Sequence, residues 1–253
     1  YVIYYLKALR EISSYLLFIT TSTCSNGSQL DGIVDKTIER NNIGYDFYSY
    51  KIGIQEMLKC QDEFDELIIC NDSCIGPLFN LENIFNKIEL CNYDFWGITA
   101  NCSHIQSYFI VFKKSVFRNS AFIKYWDDFP IYHTKDDVIQ FGEIKLTILL
   151  SSLGFKYGVA IESIDNSITN YLLRLWRGIK NRISGMSNFG FKTLLFKSNK
   201  NIDNALIFWD LLILSGMPFF KKSNLKRKDI HIEEVKRFIK RKSDYPIELI
   251  NKS

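Results

Sequence analysis

The sequence predicts an α/β fold, with a mostly parallel sheet flanked by helices and a basic helical C-terminal appendage. Three observations support this prediction. Apolar and β-branched runs alternate with segments of helical periodicity through the first two thirds of the chain. One run, Leu67–Cys70, is continuously apolar, as is typical of a central strand covered on both faces. The last third is rich in Lys and Arg and poor in strand patterns.

Composition indicates a folded protein with a sizeable core. The chain has 253 residues, of which 47% are hydrophobic and 15% aromatic, and this excludes a disordered or fibrous protein. Its six cysteines form no CxxC pair and predict free thiols in a reducing, cytoplasmic setting. The three histidines lack zinc-type spacing. The longest apolar run, 205–220, contains Asp210 and is shorter than the ~20 residues of a spanning helix, which predicts a soluble or peripheral protein.

Local patterns predict the elements in order. The chain opens with Tyr1 inside a helical pattern, from which we expect that sequence precedes it. The first half is predicted to contain helices at 29–40, 51–59 and 81–88 and strands at 15–21, 44–47 and 67–70. The second half is predicted to contain strands at 94–99, 105–112 and 155–161, and helices at 115–129, 136–153, 208–220 and 232–242.

The charge distribution divides the chain in two. Residues 1–169 carry about seven net negative charges and residues 170–253 about eleven net positive ones. We expect residues 1–169 to form the α/β domain, and residues 170–253 to form a helical region packed on it. The dense positive charge attracts phosphates of nucleic acid, anionic lipid or a nucleotide. A merely solvated basic face is the alternative.

Polar residues follow the apolar run at once, as Asn71, Asp72 and Ser73. Ligands of open α/β sheets bind at the carboxyl ends of the strands, so Asp72 is well placed to meet a metal or a phosphate. The alternative is that the three residues only cap a loop, because Asn, Asp and Ser are common in turns and helix caps.

Several ordered motifs resemble the rhamnan synthesis protein F family. Residues 41–47 resemble its N-x-G-Y-D-F segment. Further matches are Tyr50-Lys51, 71–73 with Gly76-Pro77, 94–99, 104–109, Glu143 with Leu146-Thr147, Asn204, Phe208-Trp209, 216–221 and Tyr245-Pro246. The likeness covers nearly the whole chain. It departs from the family in two ways: an initial strand with an H-x-D-like segment is missing, and the acidic pair of GT-A enzymes is reduced to Asp72.

The resemblance implies a bacterial GT-A-type glycosyltransferase of cell-wall polysaccharide or lipopolysaccharide O-antigen synthesis. It implies a nucleotide-sugar donor such as dTDP-rhamnose and a lipid-linked oligosaccharide acceptor. We expect no nucleic-acid partner and no organic cofactor, with Mg²⁺ or Mn²⁺ as the candidate metal at Asp72. The expected location is cytoplasmic, peripheral to the anionic inner face of the plasma membrane.

Glu143 is the expected base for the acceptor hydroxyl in an inverting transfer, and Asp72 is the second catalytic candidate. A surface carboxylate is the alternative for Glu143, with Asp136 and Asp137 as fallback bases. The expected substrate-binding residues are Asn42, Gly44, Tyr45, Asp46, Asn71, Ser73, Trp96, His104, Gln106, Ser107, Tyr108, Lys221 and Lys222. Trp96 or Tyr108 is expected to stack on a sugar. The alternatives are that Trp96 is a core residue and that His104 is an ordinary loop residue.

Two rival functions remain open on the sequence. The first is a non-catalytic module of a larger synthase that binds a sugar nucleotide or glycan, favoured by the truncated start and the lone Asp72. The second is a nucleic-acid-binding protein, suggested only by the basic segment.

Overall fold

A computed structural model describes residues 1–22, 27–101, 104–162, 204–228 and 230–250. Contacts divide the chain into two compact units. The N-terminal unit comprises Val2–Asn71 and Leu81–Ala160. The C-terminal unit comprises Tyr1, Asp72–Asn80 and the described residues of Ile161–Ser253. The domain boundary predicted at 169/170 and the short helices predicted around Gly178, Gly185 and Gly190 lie outside the described residues.

The described elements are as follows. The strands are β1 (Leu17–Thr20), β2 (Lys36–Glu39), β3 (Glu66–Cys70), β4 (Cys74–Ile75), β5 (Phe95–Gly97), β6 (Ala100–Asn101), β7 (His104–Ile105), β8 (Phe109–Lys113), β9 (Tyr157–Val159) and β10 (Phe220–Lys221). The α-helices are α1 (Val2–Glu11), α2 (Gly27–Leu30), α3 (Tyr45–Met57), α4 (Glu82–Glu89), α5 (Lys114–Phe117), α6 (Ser120–Asp127), α7 (Lys135–Asp137), α8 (Lys145–Ser152), α9 (Asn204–Ile207), α10 (Trp209–Leu214) and α11 (Ile232–Lys240). Short 3₁₀ segments span Leu58–Glu63, Lys222–Lys226 and Ile247–Leu249, and a π-helix spans Val138–Ile144.

The N-terminal unit is built on a four-stranded sheet with the order β3-β8-β5-β9. Strand β8 runs antiparallel to both β3 and β5, whereas β9 runs parallel to β5. The α/β class is confirmed, but the sheet is mixed, which corrects the mostly parallel sheet that the sequence predicted. The central β8 is buried from Phe109 to Phe112, because it has a neighbour on each edge and side chains packed on both faces.

Two local predictions in the first half were wrong. Residues 36–39, expected within a helix, form β2, which pairs in parallel with β1. Thr37 and Ile38 are β-branched and favour the strand once β1 supplies backbone partners. Residues 44–47, expected as a strand, instead begin helix α3 at Tyr45. The predicted strand at 105–112 is divided between β7 and β8.

An aromatic core joins α3 and α6 to the sheet. The ring of Phe47 stacks on Trp126 and Phe129 with centroid distances of 5.7 and 5.4 Å, and Phe122 contacts Phe112 of β8 edge-to-face at 5.1 Å. Such contacts add to the free energy gained from burying the rings. The helices are thereby fixed against the sheet at the place where the polar residues described below converge.

Gly142 allows the π-helix to approach α3 closely. A Cβ atom added at Gly142 would lie 2.8 Å from the ring of Phe47. Phe47 is fully buried between neighbouring rings, so it cannot move aside without disturbing the core. The helix predicted over 136–153 is therefore present with a π-helical stretch at this contact, a feature often found at functional sites.

The described part of the C-terminal unit centres on a two-stranded antiparallel pair, β4 with β10. Trp209 packs edge-to-face on Phe220 and Phe238 at 5.1 and 5.2 Å. Val235 and Ile239 are the buried residues of α11. The helices predicted near 208–220 and 232–242 are confirmed as α10 and α11.

Two further sequence predictions concern thiols and membrane segments. Cys60, Cys70, Cys74 and Cys91 are free thiols, as expected for those four described residues. Within the described ranges, no helix combines the length and the apolarity needed to cross a bilayer.

Gly142→Ala is expected to destabilise the N-terminal unit, because the new methyl group overlaps the buried ring of Phe47. We expect a loss of about 1–3 kcal/mol, as for other overpacked cores. Urea denaturation followed by tryptophan fluorescence measures it. Gln140→Ala, at an exposed position of the same π-helix, is the control and should leave the midpoint nearly unchanged. Equal midpoints for the two variants would contradict the packing argument.

Candidate functional site

The loop before α3 positions Asp46. Gly44 and Tyr45 have φ angles of 70° and 54°, in the left-handed region that favours glycine. The guanidinium of Arg40 donates hydrogen bonds to three carbonyls of the loop 41–45. Asp46 consequently lies in the first turn of α3, where its Oδ1 accepts a hydrogen bond from the backbone N–H of Phe47 at 3.1 Å. A carboxylate is favoured there by the helix dipole.

Asn71 meets Asp46 at the carboxyl end of β3. Its backbone N–H donates to the carbonyl of Tyr108 at 3.2 Å, which extends the pairing of β3 with β8 by one residue. Its side-chain Nδ2 donates to Asp46 Oδ2 at 2.6 Å. The sheet end and the helix N-terminus are therefore joined by one hydrogen bond between polar side chains.

Glu143 lies on the π-helix, and each of its two carboxylate oxygens faces a polar side chain. Ser107 Oγ donates to Oε1 at 2.5 Å, and His104 Nε2 lies 3.4 Å from Oε2. The side chain of Glu143 is 18% exposed, whereas that of His104 is buried. The carboxylate is thus oriented by protein groups and still open to solvent.

A buried threonine supports this arrangement. Thr147 Oγ1 donates to the carbonyl of Glu143 at 3.1 Å and accepts a hydrogen bond from the backbone N–H of Ile105 at 3.4 Å. The contact connects the helical segment to β7. It therefore holds the backbone at Glu143 next to the strand that begins with His104.

The pKa of Asp46 reflects its burial and its acidic neighbour. Burial raises the pKa of Asp46 above its ordinary value, and the charge of Glu143 raises it further, against the smaller opposing effect of hydrogen bonds that include the one from Asn71. The pKa of Tyr50 is also raised well above its usual range, first by burial and then by the charge of Asp46. The Tyr50 hydroxyl donates to the carbonyl of Ser107 at 2.8 Å.

We name the group Asp46, Asn71, His104, Ser107 and Glu143 the acidic cluster. It contains one carboxyl group whose pKa is raised by burial and one solvent-accessible acidic side chain that contacts Ser107 and His104. Paired carboxyls in unlike surroundings are the usual means of acid and base chemistry near neutral pH. The cluster can accept a proton from a hydroxyl and hydrogen-bond the polar groups of a ligand.

Asp72 belongs to the C-terminal unit and has different partners. Lys222 Nζ lies 3.0 Å from its Oδ2, and the hydroxyl of Tyr1 donates to the same oxygen at 2.5 Å. The ammonium group also lies 3.9 Å from the centroid of the Tyr1 ring. Packing alone would raise the pKa of Asp72, but the hydrogen bonds from Tyr1 and Lys222 outweigh it and lower the pKa. The side chain remains 67% exposed.

A comparison with protein families assigns the chain. The profile described as rhamnan synthesis protein F matches residues 16–174. The chain belongs to the rhamnan synthesis protein F family. This membership confirms the resemblance found in the sequence and supports a role in the synthesis of rhamnan or a related polysaccharide.

Two curated relatives extend the comparison. An uncharacterized protein of Sinorhizobium fredii, y4gN, is 35% identical over 125 residues, which cover 47% of this chain and 33% of that protein. The virulence protein VirA of Vibrio anguillarum is 29% identical over 212 residues, which cover 79% of this chain and 65% of VirA. The chain thus spans one third to just under two thirds of these relatives. No solved structure gives a significant match.

The residues around Asp72 do not fit the divalent cation that the rhamnan synthesis protein F resemblance suggested. The carboxylate already faces an ammonium group and a phenol, both of which donate hydrogen bonds and neither of which is suited to coordinating a metal as placed. In the described ranges, no three His, Cys, Asp or Glu side chains gather in a way that could hold a metal ion. We therefore derive no step through a metal.

The acidic cluster unites five of the residues that the sequence proposed for this family member. Asn42 and Tyr45 are exposed on the loop beside it, and the Tyr45 hydroxyl donates to the carbonyl of His133 at 3.4 Å. Their roles in binding, and that of Gly44, stay predictions. Ser73 and Lys221 lie in the C-terminal unit, where the Ser73 carbonyl accepts the Lys222 backbone N–H at 3.0 Å.

Three other candidates are built into the interior. Trp96 is 2% exposed and packs edge-to-face on Phe85 at 5.0 Å. The Thr99 hydroxyl donates to Gln106 Oε1 at 2.6 Å and lies 2.7 Å from the Tyr108 hydroxyl, all inside the unit. Of the two alternatives for Trp96, the structure shows the core residue. Neither its ring nor that of Tyr108 offers a face on which a sugar can stack.

Sequence reasoning assigned no role to Arg40, Tyr50 and Thr147, which hold the cluster in place. Tyr50 and Thr147 lie four residues after Asp46 and Glu143 on helical segments, so the i,i+4 rule could have indicated them. Nothing in the local sequence distinguishes Arg40, because its bonds go to backbone carbonyls.

Asp46→Asn is expected to stabilise the protein at neutral pH. A raised pKa means that the folded state binds the Asp46 proton more tightly than the unfolded state, so stability falls as pH rises from the ordinary aspartate value through the raised one. The amide does not titrate and avoids this loss. The difference in stability between Asp46→Asn and wild type should therefore vanish below the ordinary aspartate pKa, ~3.9. Melting temperatures measured between pH 3 and 8 test it.

The matched control is Asp31→Asn, an exposed position of the same unit, which should leave the pH profile unaltered. An Asp46→Asn variant that is less stable than wild type at every pH would contradict the proposed electrostatic strain.

Proposed function

We propose that this chain is the catalytic part of a GT-A-type inverting glycosyltransferase of bacterial cell-wall polysaccharide or O-antigen synthesis. It transfers a sugar, with rhamnose from dTDP-rhamnose as the first candidate, to a lipid-linked oligosaccharide. The single observation that carries the proposal is the solvent-accessible Glu143, oriented by Ser107 and His104 beside the buried carboxyl of Asp46. Family membership supports the choice of polysaccharide synthesis.

In the proposed reaction, Glu143 removes the proton of the attacking acceptor hydroxyl. The acceptor oxygen forms the new bond to the anomeric carbon, while the bond from that carbon to the diphosphate breaks and its electron pair leaves with the diphosphate. The proton ends on Glu143, one of whose oxygens already lies beside the imidazole of His104. A positioned general base contributes ~10²–10⁴ to the rate of such reactions.

Asp46 and Asn71 are proposed to bind the donor rather than to react with it. The Asp46 carboxyl group offers hydrogen-bond acceptors, and Asn71 offers both an amide N–H donor and a carbonyl acceptor. Sugar and ribose hydroxyls require such mixed partners. Phosphate binding by Lys221 and Lys222, which belong to the C-terminal unit, stays a separate prediction.

The second candidate is a non-catalytic module that binds a sugar nucleotide or a glycan within a larger synthase. The specific observation in its favour is the ion pair of Asp72 with Lys222, which occupies the residue expected to serve the donor diphosphate. This module would bind ligand without turnover, so the two functions are distinguished by product formation.

Glu143→Gln is expected to lower kcat by ~10²–10⁴ with little change in donor KM, because the amide keeps the size of the side chain but accepts no proton. The assay uses the purified full-length protein, nucleotide-rhamnose donors and a lipid-linked or short oligosaccharide acceptor. Product is detected by mass spectrometry.

Glu63→Gln, an exposed change of the same chemistry, is the control and should retain activity. Wild-type protein that binds donor but forms no product with any acceptor would favour the non-catalytic module. An active Glu143→Gln variant would remove Glu143 from the mechanism.

The basic surface of α11 is proposed to dock the enzyme on the cytoplasmic face of the anionic membrane, where a lipid-linked acceptor resides. Val235 and Ile239 face inward, and this leaves the basic residues of the opposite side in solvent. Exposed cations of α11 and of the segments on either side of it include Lys226, Lys228, Arg237, Lys240, Arg241 and Lys242. Each basic residue near an anionic surface contributes ~1 kcal/mol of attraction.

Lys240→Gln combined with Arg241→Gln is therefore expected to weaken binding to phosphatidylserine vesicles about tenfold or more, as measured by co-sedimentation. The control is Lys7→Gln, at an exposed position of helix α1. Binding that does not depend on anionic lipid would refute the docking role, as would tighter binding to DNA than to the vesicles.

A further inference from the structure

A groove of about 290 Å³ lies beside the π-helix in the N-terminal unit. Its lining comes from α6, the loop after it, the π-helix and α8. The residues that form its base and walls are Tyr125, Phe129, Tyr132, Phe141, Lys145 and Leu149. The volume is at the lower end of the ~300–1,000 Å³ typical of small-molecule sites, which suits a short segment of a ligand.

Flat aromatic surface dominates the groove. The rings of Tyr132 and Phe141 are stacked, with centroids 5.5 Å apart and planes 17° from parallel. Phe129 supports Tyr132 from the core at 5.3 Å. Phe141 is 43% exposed, so part of this stacked pair is open to solvent. The groove therefore presents a supported aromatic face to solvent.

Charged groups surround this face. Lys124 and Asp128 form an ion pair of 2.7 Å at one wall, and both side chains are well exposed. Lys145 is exposed at another wall. A ligand on the aromatic face thus meets both hydrogen-bond donors and acceptors at its edges, whereas a purely hydrocarbon ligand would use none of them.

The π-helix connects the groove to the acidic cluster. Phe141 lines the groove and Glu143, two residues later, belongs to the cluster. Side chains two residues apart on a helical segment do not face each other, so Phe141 and Glu143 project from different sides of the π-helix. The Tyr125 hydroxyl in the groove donates to the carbonyls of Phe141 and Gly142 at 3.2 and 3.1 Å, so the groove wall also holds the helical segment that carries Glu143.

We propose that this groove is a saccharide subsite that holds one sugar of the acceptor glycan, away from the reacting hydroxyl. A pyranose ring has an apolar C–H face and an edge of hydroxyl groups, which matches an aromatic floor with a charged and polar rim. An acyl or prenyl chain would leave the rim unused, and the groove is short for either. The inference rests on the proposed function, because that function supplies the glycan.

The first test separates acceptor from donor. Phe141→Ser should raise KM for a short rhamnose oligosaccharide acceptor about tenfold while leaving donor KM unchanged, since the loss of one stacking ring affects acceptor binding alone. The matched control is Ile148→Ser, at an exposed position of helix α8 that does not line the groove. Circular dichroism and melting temperature confirm that both variants are folded.

The second test does not depend on turnover. The same rhamnose oligosaccharide, carrying a methyl aglycone, is titrated into the full-length protein and followed by NMR and calorimetry. Wild type and Ile148→Ser should bind with the same Kd, and Phe141→Ser about tenfold more weakly. This experiment tests glycan binding in the groove even if no donor gives product. A Glu143→Gln variant that is inactive but binds the glycan as wild type does would separate the catalytic role of Glu143 from the binding role of the groove.

Three outcomes would overturn the subsite. They are equal binding by Phe141→Ser and wild type, an equal effect of Phe141→Ser on donor and acceptor, and competition of the oligosaccharide by a simple alkyl phosphate, which would identify the groove as a lipid site.

Discussion

The contact between Gly142 and the ring of Phe47 is the constraint on which the candidate site depends. Phe47 is anchored among buried aromatic rings, and Gly142 is the residue that lets a helical segment come against it. Each is next to a carboxylate in sequence, since Asp46 precedes Phe47 and Glu143 follows Gly142. Core packing therefore brings together two acidic side chains that otherwise repel and resist burial.

This arrangement is unfavourable for stability and useful for chemistry. Burial and the charge of Glu143 raise the pKa of Asp46, and hydrogen bonds that include the one from Asn71 oppose part of this rise. Natural proteins usually depart from good local electrostatics at functional sites, where the rest of the fold supplies the compensating stability. Here the compensation is an aromatic core that surrounds the first turns of α3. The π-helix contributes to both features, because it carries Glu143 of the cluster and Phe141 of the groove.

In the C-terminal unit, the acidic side chain at the candidate site has a basic partner. Its acidic residue Asp72 is neutralised by Lys222 and Tyr1, so this carboxylate is bound by donors instead of being set against another acid. Helix α11 presents the exposed cations Arg237 and Lys240 in its last turn, after Glu233 and Glu234 in its first turn. One chain thus combines an acidic cluster, which suits proton transfer and polyhydroxyl ligands, with a basic surface that suits phosphate-bearing partners.

The sequence by itself determined the α/β class, most helices, the strands β1, β3, β5 and β9, and the family, because these follow from local periodicity and ordered motifs. It also named the five members of the acidic cluster. Only the tertiary structure decided the antiparallel direction of β8, the strand at 36–39, the burial of Trp96 and the pairing of Asp72 with Lys222, 150 residues away. Such features depend on partners that are distant along the chain, and no local pattern encodes which surface a side chain will meet.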